Sequence, residues 1–505
     1  MTAAVTAPAR PGLPHAAAAP LTFARLVRIE LRRNAVPWVV PVMAALLWFD
    51  SYRPSTAVPA FWMLRTFWNM GQGHTIIDTG PLVAGVAAWM GSRDARRGMA
   101  DLAAAAARPR WTAQLATWAA TAAWAVGAYL ALTGALFAVY AAQGLRGTPP
   151  WWWLATGAVA VAAFSAAGFA VGALFPSRFA APLAAFGAFL AMGTSSQAGF
   201  SATSGWALLL PTNANGNYQV PTGIDYHYLP DLPIARLMFL GGIAVAAVGL
   251  LGLRERAGGQ RLRAAAAAVT LAGVAATATA VGLATTARQA ADGIVIPALH
   301  DAASDRPLSY TPSCQRAGDV PVCLNPVFGS LLAGVTAGLR PALAAVAGLP
   351  GAPARVTEVA GTYTANEGSS GQAMTISGRP PVLRLPLDAE TLPGSFGQTP
   401  AEFAGQLQVL FLEAFTGTSS GSGSPAQHAV LAALLQQAGQ PFGAQPALLA
   451  MAGPGAPGPG PGGAAGPVYA AARRLAALPA ATRHAWLAGH LAALRSGAIT
   501  LGQLP

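Results

Sequence analysis

With 505 residues the chain has room for several domains, yet 54% of it is apolar and only 10% charged, against about 25% charged in soluble proteins, which excludes an ordinary soluble protein. All 30 basic residues are arginine and there are 18 acids, a net charge of +12; the lack of lysine excludes Schiff-base chemistry and a nucleotide-binding G-x-x-x-x-G-K-[ST] loop in this chain. The excess lies in residues 1–286, with 19 Arg against 8 acids, while 287–505 holds 11 against 10, a distribution that signals membrane topology and not a nucleic-acid surface.

The first twenty residues carry Pro and Ala, a single Arg10 and no continuous apolar run, which argues against a cleaved signal peptide. Residues 1–21 read as a disordered N-terminus and 22–34 as an amphipathic helix with Arg25, Arg28, Arg32 and Arg33 on it. A bilayer core about 30 Å thick requires roughly 20 apolar helical residues. Seven stretches qualify: 35–52, 74–91, 113–140, 152–175, 180–199, 234–253 and 264–286, the last being the weakest because it is mostly Ala with Thr and Gly. The predicted fold class is an α-helical integral membrane protein. It has a six-span core in 35–253, a cytoplasmic loop and seventh span in 254–286, and a small extracytoplasmic α+β domain.

Fifteen arginines fall in alternate connections: the five up to Arg33, then Arg93, Arg96, Arg97, Arg108 and Arg110, then Arg178, then Arg254, Arg256, Arg261 and Arg263. The opposite connections hold Arg53, Arg65, Arg146 and Arg236. The positive-inside rule then predicts a multi-pass cell-membrane protein with its N-terminus in the cytoplasm and 287–505 outside, anchored at the outer interface by Trp151, Trp152 and Trp153. In the second span His74 and Asp78 are four apart, and an acid inside a span is a functional suspect. The competing and favoured reading is a polar pair satisfied at the outer helix end. Gly168 and Gly172 read as a step of close helix packing.

Residues 287–452 mix helical periodicity at 326–349, 400–415 and 425–437 with β-type runs at 354–360 and 382–387, the pattern of a small α+β domain. Cys314 and Cys323 are the only cysteines, and in a non-cytosolic domain they are expected to form a disulfide; the alternative is two buried thiols. Residues 453–467 read as a Gly/Pro linker and 468–505 as C-terminal helices. Three literal motifs lack the context their chemistry needs. Gly417, Ser419 and Gly421 fit G-x-S-x-G but follow a helix into coil, and Gly453, Gly455 and Gly458 fit G-x-G-x-x-G inside the linker. His484 and His490, six apart, face different sides of a helix. No catalytic residue, metal or cofactor is implied.

The connection from Ser92 to Trp111 contains Arg93, Asp94, Arg96, Arg97, Gly98, Asp101 and Leu102, then five alanines, then Arg108-Pro109-Arg110. The alanines favour helix and Pro109 ends it; Arg93 and Arg97 share a face, as do Arg97 and Asp101. In these residues the chain resembles the permease subunits of ABC transporters of the type-2 exporter class. Their first cytoplasmic loop carries an Arg-acid pair followed by a glycine and a leucine, and ends in Pro-x-x-Arg. Here Asp94 stands where Glu is commoner, and Pro-Arg replaces that ending. Leu26–Arg33 resembles the family's amphipathic connecting helix, and Gly193–Gln197 with Gly205–Leu210 its re-entrant helices, so the resemblance covers residue 22 to about 253.

The resemblance implies a non-enzymatic transport subunit in the lipid bilayer, paired with a second permease copy or a homologous permease. A separate ABC ATPase subunit would dock on the loop. Arg93 and Arg97 are then the cationic contacts, Asp94 their partner across the joint, Gly98 a point of close backbone approach and Leu102 the buried knob. Three other readings compete. The loop can be an anchor on anionic lipid alone. The chain can be a secondary transporter, which needs several ionisable groups at the midplane where only Asp78 stands out. It can also be a membrane-anchored extracytoplasmic binding or sensory protein, a role that one or two spans would serve.

Overall fold

The computed structural model describes residues 22–51, 74–99, 109–142, 149, 151–201, 205–210, 229–254, 259–290, 293–306, 308–359, 374–387, 399–418, 423–442 and 466–505. Its first part is all helical: α1 (Phe23–Arg32), α2 (Val40–Ser51), α3 (His74–Gly91), the single turn α4 (Arg93–Arg96), α5 (Arg110–Ala142), α6 (Trp151–Leu174), α7 (Ala180–Ser201), α8 (Asp231–Leu253) and α9 (Gly259–Ala284). Among the described residues four stretches are long and apolar enough to cross a bilayer: Arg110–Val139 in α5, and the whole of α6, α8 and α9. The chain is therefore built as a membrane protein, and among the described residues four of the seven expected spans qualify.

The other three expected spans are only partly described. After a 3-10 turn at Val36–Trp38 that contains Pro37, α2 is followed for 12 residues, to the last described residue of that segment. Helix α3 is described over 18 residues from His74, with Pro81 inside it. Helix α7 runs unbroken from Ala180 to Ser201, so Gly193–Gln197 is no break between helices. The weakest expected span, α9, is a continuous helix of 26 residues.

Alanine and glycine let these helices approach to backbone contact. A Cβ on Gly168 or Gly172 of α6 would collide with the carbonyl oxygen of Ala84 or Ala88 in α3, as the packing step at these glycines leads one to expect. Gly242 and Gly249 of α8 lie against Thr277 and Thr270 of α9, and Gly273 of α9 against the backbone of Ala246. This contact explains how α9 holds its place despite gaining little from leaving water.

After α9 a short hairpin, β1 (Arg288–Ala290) and β2 (Gly293–Val295), stays against the helices: Ile294 packs with Leu136 and Trp153, and Ile296 with Ala280 and Ala284. The following domain has a five-stranded mixed sheet in the order β3-β4-β5-β7-β6, made of β3 (Ser313–Ala317), β4 (Val320–Leu324), β5 (Arg355–Val359), β6 (Thr375–Ser377) and β7 (Val382–Pro386). The pairs β4–β5 and β5–β7 are parallel, and the two edges are antiparallel hairpins. Alternate residues Val322, Leu324, Val356, Leu383 and Leu385 are buried, the mark of a sheet covered on one face.

The cover is α10 (Leu332–Ala345), α11 (Pro400–Thr416), α12 (Pro425–Gln437), α13 (Gly466–Ala477) and α14 (Ala480–Arg495). Helices α11 and α12 start alike, Thr399-Pro-Ala-Glu402 and Ser424-Pro-Ala-Gln427, each a capping box with proline in the first turn. The terminal helices are not a separate piece: Val468, Leu475, Leu487 and Leu494 share one core with Leu343, Phe411 and Leu434. The expected linker lies outside the described residues as far as 465, and α13 begins at Gly466. Cys314 and Cys323 face each other across β3–β4 and form the expected disulfide.

Candidate functional site

The connection after α3 is fastened before it reaches open surface. Ser92 is buried and its hydroxyl donates to the carbonyl oxygens of Ala88 and Trp89, at 3.0 and 3.2 Å. Arg93 then turns back to α1, where both ends of its guanidinium donate to Glu30, at 2.8 and 3.0 Å, with Asp94 at 3.5 Å on its Nε. The hydrogen bond to Glu30 holds the Arg93 guanidinium above its ordinary pKa, outweighing burial. Arg96 folds over Trp89, 3.3 Å from the ring centroid, and donates to the Ser92 hydroxyl and to Trp89 O. Burial, helped by the Arg97 charge, lowers its pKa.

The single turn ends at Gly98, whose φ of 65° is left-handed. Gly98 N–H donates to Ala95 O, and Met99 N–H reaches back to Asp94 O, the pair of bonds that closes a Schellman motif. Nothing lies within 4 Å of a Cβ built on Gly98, so within the chain its requirement is backbone conformation and not close approach. Beyond the clamp, Arg97, Gly98 and Met99 are exposed. Leu102, Asp101, the alanine run and Arg108 lie outside the described residues. At the far end of the loop Trp111 donates to Val248 O at 3.1 Å, and Arg254 donates to Leu174 O at 2.9 Å. The ends of α3, α5, α6 and α8 are thus tied at one edge of the bundle, with α1 as a strap.

Of the expected site residues, then, the structure joins Arg93 to α1 with Asp94 beside it, and leaves Arg97 and Gly98 facing outward. His74 and Asp78 lie in the first turns of α3, but their side chains are outside what is described. Gly417 of the G-x-S-x-G string is the left-handed cap of α11, and Ser419, Gly421 and the G-x-G-x-x-G string are also outside. His484 bonds to Ala347 O at 3.1 Å, and His490 stacks on Trp486 at 4.6 Å.

A second polar cluster at the opposite end of α8 was not legible in the sequence. Asp231, fully buried in the first turn of α8, accepts from Ile296 N–H at 2.9 Å and faces His300 Nδ1 at 3.2 Å, whose Nε2 meets Asp305 at 2.8 Å. Arg236, counted only as a loop arginine, is also fully buried in α8; its Nε donates to Leu208 O at 2.7 Å and its guanidinium lies 5.0 Å from the Trp153 ring centroid. The one available sequence signal was an Asp and an Arg five residues apart at the start of an apolar helix.

The chain matches no family model, no curated protein and no solved structure. Function therefore rests on these two clusters and on the helices between them.

Proposed function

We propose that the chain is the membrane-spanning permease subunit of an ATP-driven ABC exporter, energised by a separate ATPase subunit that docks on the connection between α3 and α5. The observation that carries this reading is the turn at Arg93–Met99. One side is locked to α1 and Trp89, while Arg97, Gly98 and Met99 project from it as a fixed, exposed cationic and apolar knuckle. A loop that only anchored the chain on lipid would need its arginines but not a capped turn tied to two helices. A rigid knuckle on a strap can pass a push from a soluble partner to α1 and α3 together.

In this reading the arginine-rich edge is cytoplasmic, α2, α3 and α7 complete a six-span core beside α5, α6 and α8, and α9 leads to an extracytoplasmic domain. A second copy or a homologous permease completes the substrate path. The lock between Asp231 and His300 favours one further reading, a membrane-anchored binding or sensory protein, because it joins the last domain firmly to a span.

Purification of the full chain in mild detergent, with mass spectrometry of what accompanies it, separates the two. The exporter reading expects a P-loop ATPase subunit to co-purify, to be lost with Arg97→Glu and to persist with Arg110→Glu. Absence of any ATPase from the wild-type preparation would refute it.

A further inference from the structure

An apolar groove of about 500 Å³ runs between α1, α2 and α5, within the size range of ligand sites. Leu31 of α1, Val40 of α2 and, from α5, Trp124, Gly127, Ala128 and Ala131 wall it. The Trp124 indole donates to Leu31 O at 2.9 Å, so the wall is fixed to α1. The α5 residues beside Trp124 are small, and a Cβ on Gly127 would meet nothing within 4 Å.

The groove's own lining is apolar, and the charge near it is carried by α1. Leu31 follows Glu30, which holds Arg93 at the end of α3 and so places this part of α1 at the bundle edge. Arg28 and Arg32 flank Glu30 and are exposed. Arg28 lies one helical turn from Leu31, on the same side of α1. An apolar slot walled by Leu31, with exposed Arg28 and Arg32 within a turn of it on the same helix, matches an amphiphile with a hydrocarbon tail and an anionic head.

We infer that this groove is a binding site for one anionic phospholipid of the surrounding bilayer, its acyl chain along Gly127–Ala131 and its phosphate on Arg28 and Arg32. The chemistry separates this site from the general lipid boundary. A chain lying on any span gains apolar contact, whereas here the recess is walled in part by a helix that exposes two arginines. The site would brace α1 against α5 beside the Arg93 clamp. It is independent of whether an ATPase docks there.

The test uses the full chain in mild detergent, incubated with phosphatidylglycerol or with phosphatidylcholine of the same acyl chains, and counts retained lipid by native mass spectrometry. Phosphatidylglycerol is expected to be retained in preference, one molecule per chain. Arg28→Gln and Arg32→Gln should each weaken it about fivefold, and the double variant should bring it to the phosphatidylcholine level. Gly127→Leu should reduce retention of both lipids by filling the slot, while Gly127→Ala, which keeps most of the space, should retain them.

Equal retention of the two lipids by the wild type would overturn the inference, as would an unchanged count in Gly127→Leu. Inorganic phosphate displacing the lipid as well as phosphatidylglycerol does would make this an anion site without an acyl slot. Disulfide cross-linking of Gly127→Cys between two chains would give the groove to a second copy instead.

Discussion

The Glu30–Arg93 clamp allows a quantitative test of the strap. The two side chains are only 17–18% exposed and share two hydrogen bonds at 2.8 and 3.0 Å. Exposed ion pairs contribute about 0–1 kcal/mol, whereas a hydrogen bond to a charged group away from water contributes about 1.5–3 kcal/mol. A bidentate pair at this depth belongs between those limits, at about 1.5 kcal/mol. In a double-mutant cycle of Glu30→Gln and Arg93→Gln, each single change leaves a half-buried charge without its main partner. The double variant should therefore be less destabilised than the sum of the singles by about that amount.

Denaturant unfolding of the full chain in detergent measures the coupling, and a reporter on the last domain checks that all variants keep their orientation, since the remaining arginines of that edge are untouched. A coupling below about 0.3 kcal/mol would show that the pair behaves as a surface contact and that α1 is not held by it. Loss of orientation in Arg93→Gln alone would show that this arginine serves topology.

Gly168→Leu should cost about 3 kcal/mol by driving α6 from the Ala84 carbonyl, readable as a lower unfolding midpoint, with Gly134→Ala, where a Cβ meets nothing, as the neutral control. Gly98→Ala should cost about 1 kcal/mol through its left-handed φ, with a larger loss of ATPase association than of stability. A disulfide closing a separation of 9 residues restrains the unfolded chain by about 2.5 kcal/mol, so Cys314→Ser with Cys323→Ser should lower the stability of the last domain by up to that amount, less because the β3–β4 turn already brings the strands together. Burial holds the His428 imidazole below its ordinary value of 6.5. The unfolded chain then takes up a proton before the folded one does, so stability is complete above that pH and declines as pH falls through the folded value; pH-dependent denaturation should lose part of this slope in His428→Gln.

What the sequence made legible was local. The strings Thr399-Pro-Ala-Glu402 and Ser424-Pro-Ala-Gln427 announce the helix starts at which α11 and α12 begin, and hydropathy finds α5, α6, α8 and α9 within a few residues. At the start of the first expected span it missed the 3-10 turn, because apolar content does not register where Pro37 sits in a tight turn. The β3–β4 hairpin was missed because Val320–Leu324 is too short and too uniformly apolar to show alternation, although the two cysteines marked its ends. The candidate site was half visible. Composition singled out the arginines after α3, but Glu30 is 63 residues away and His300 lies 69 beyond Asp231. No periodicity reports contacts at that separation; only the packed bundle brings them together.

The contact at Asp231 has a mechanical consequence. The chain leaves the end of α9 and within twelve residues bonds back to the first turn of α8 through Ile296, so the two helices and the segment between them form a closed ring, not an open hairpin. Glycine-lined contact already keeps α8 and α9 from sliding past each other. A ring of this kind transmits torque: when α8 tilts or turns about its axis, the root of the last domain must turn with it, whereas a free tether would absorb the rotation. What turns with the spans is the segment from Ile294 to His300, which sets where and in what direction the last domain begins.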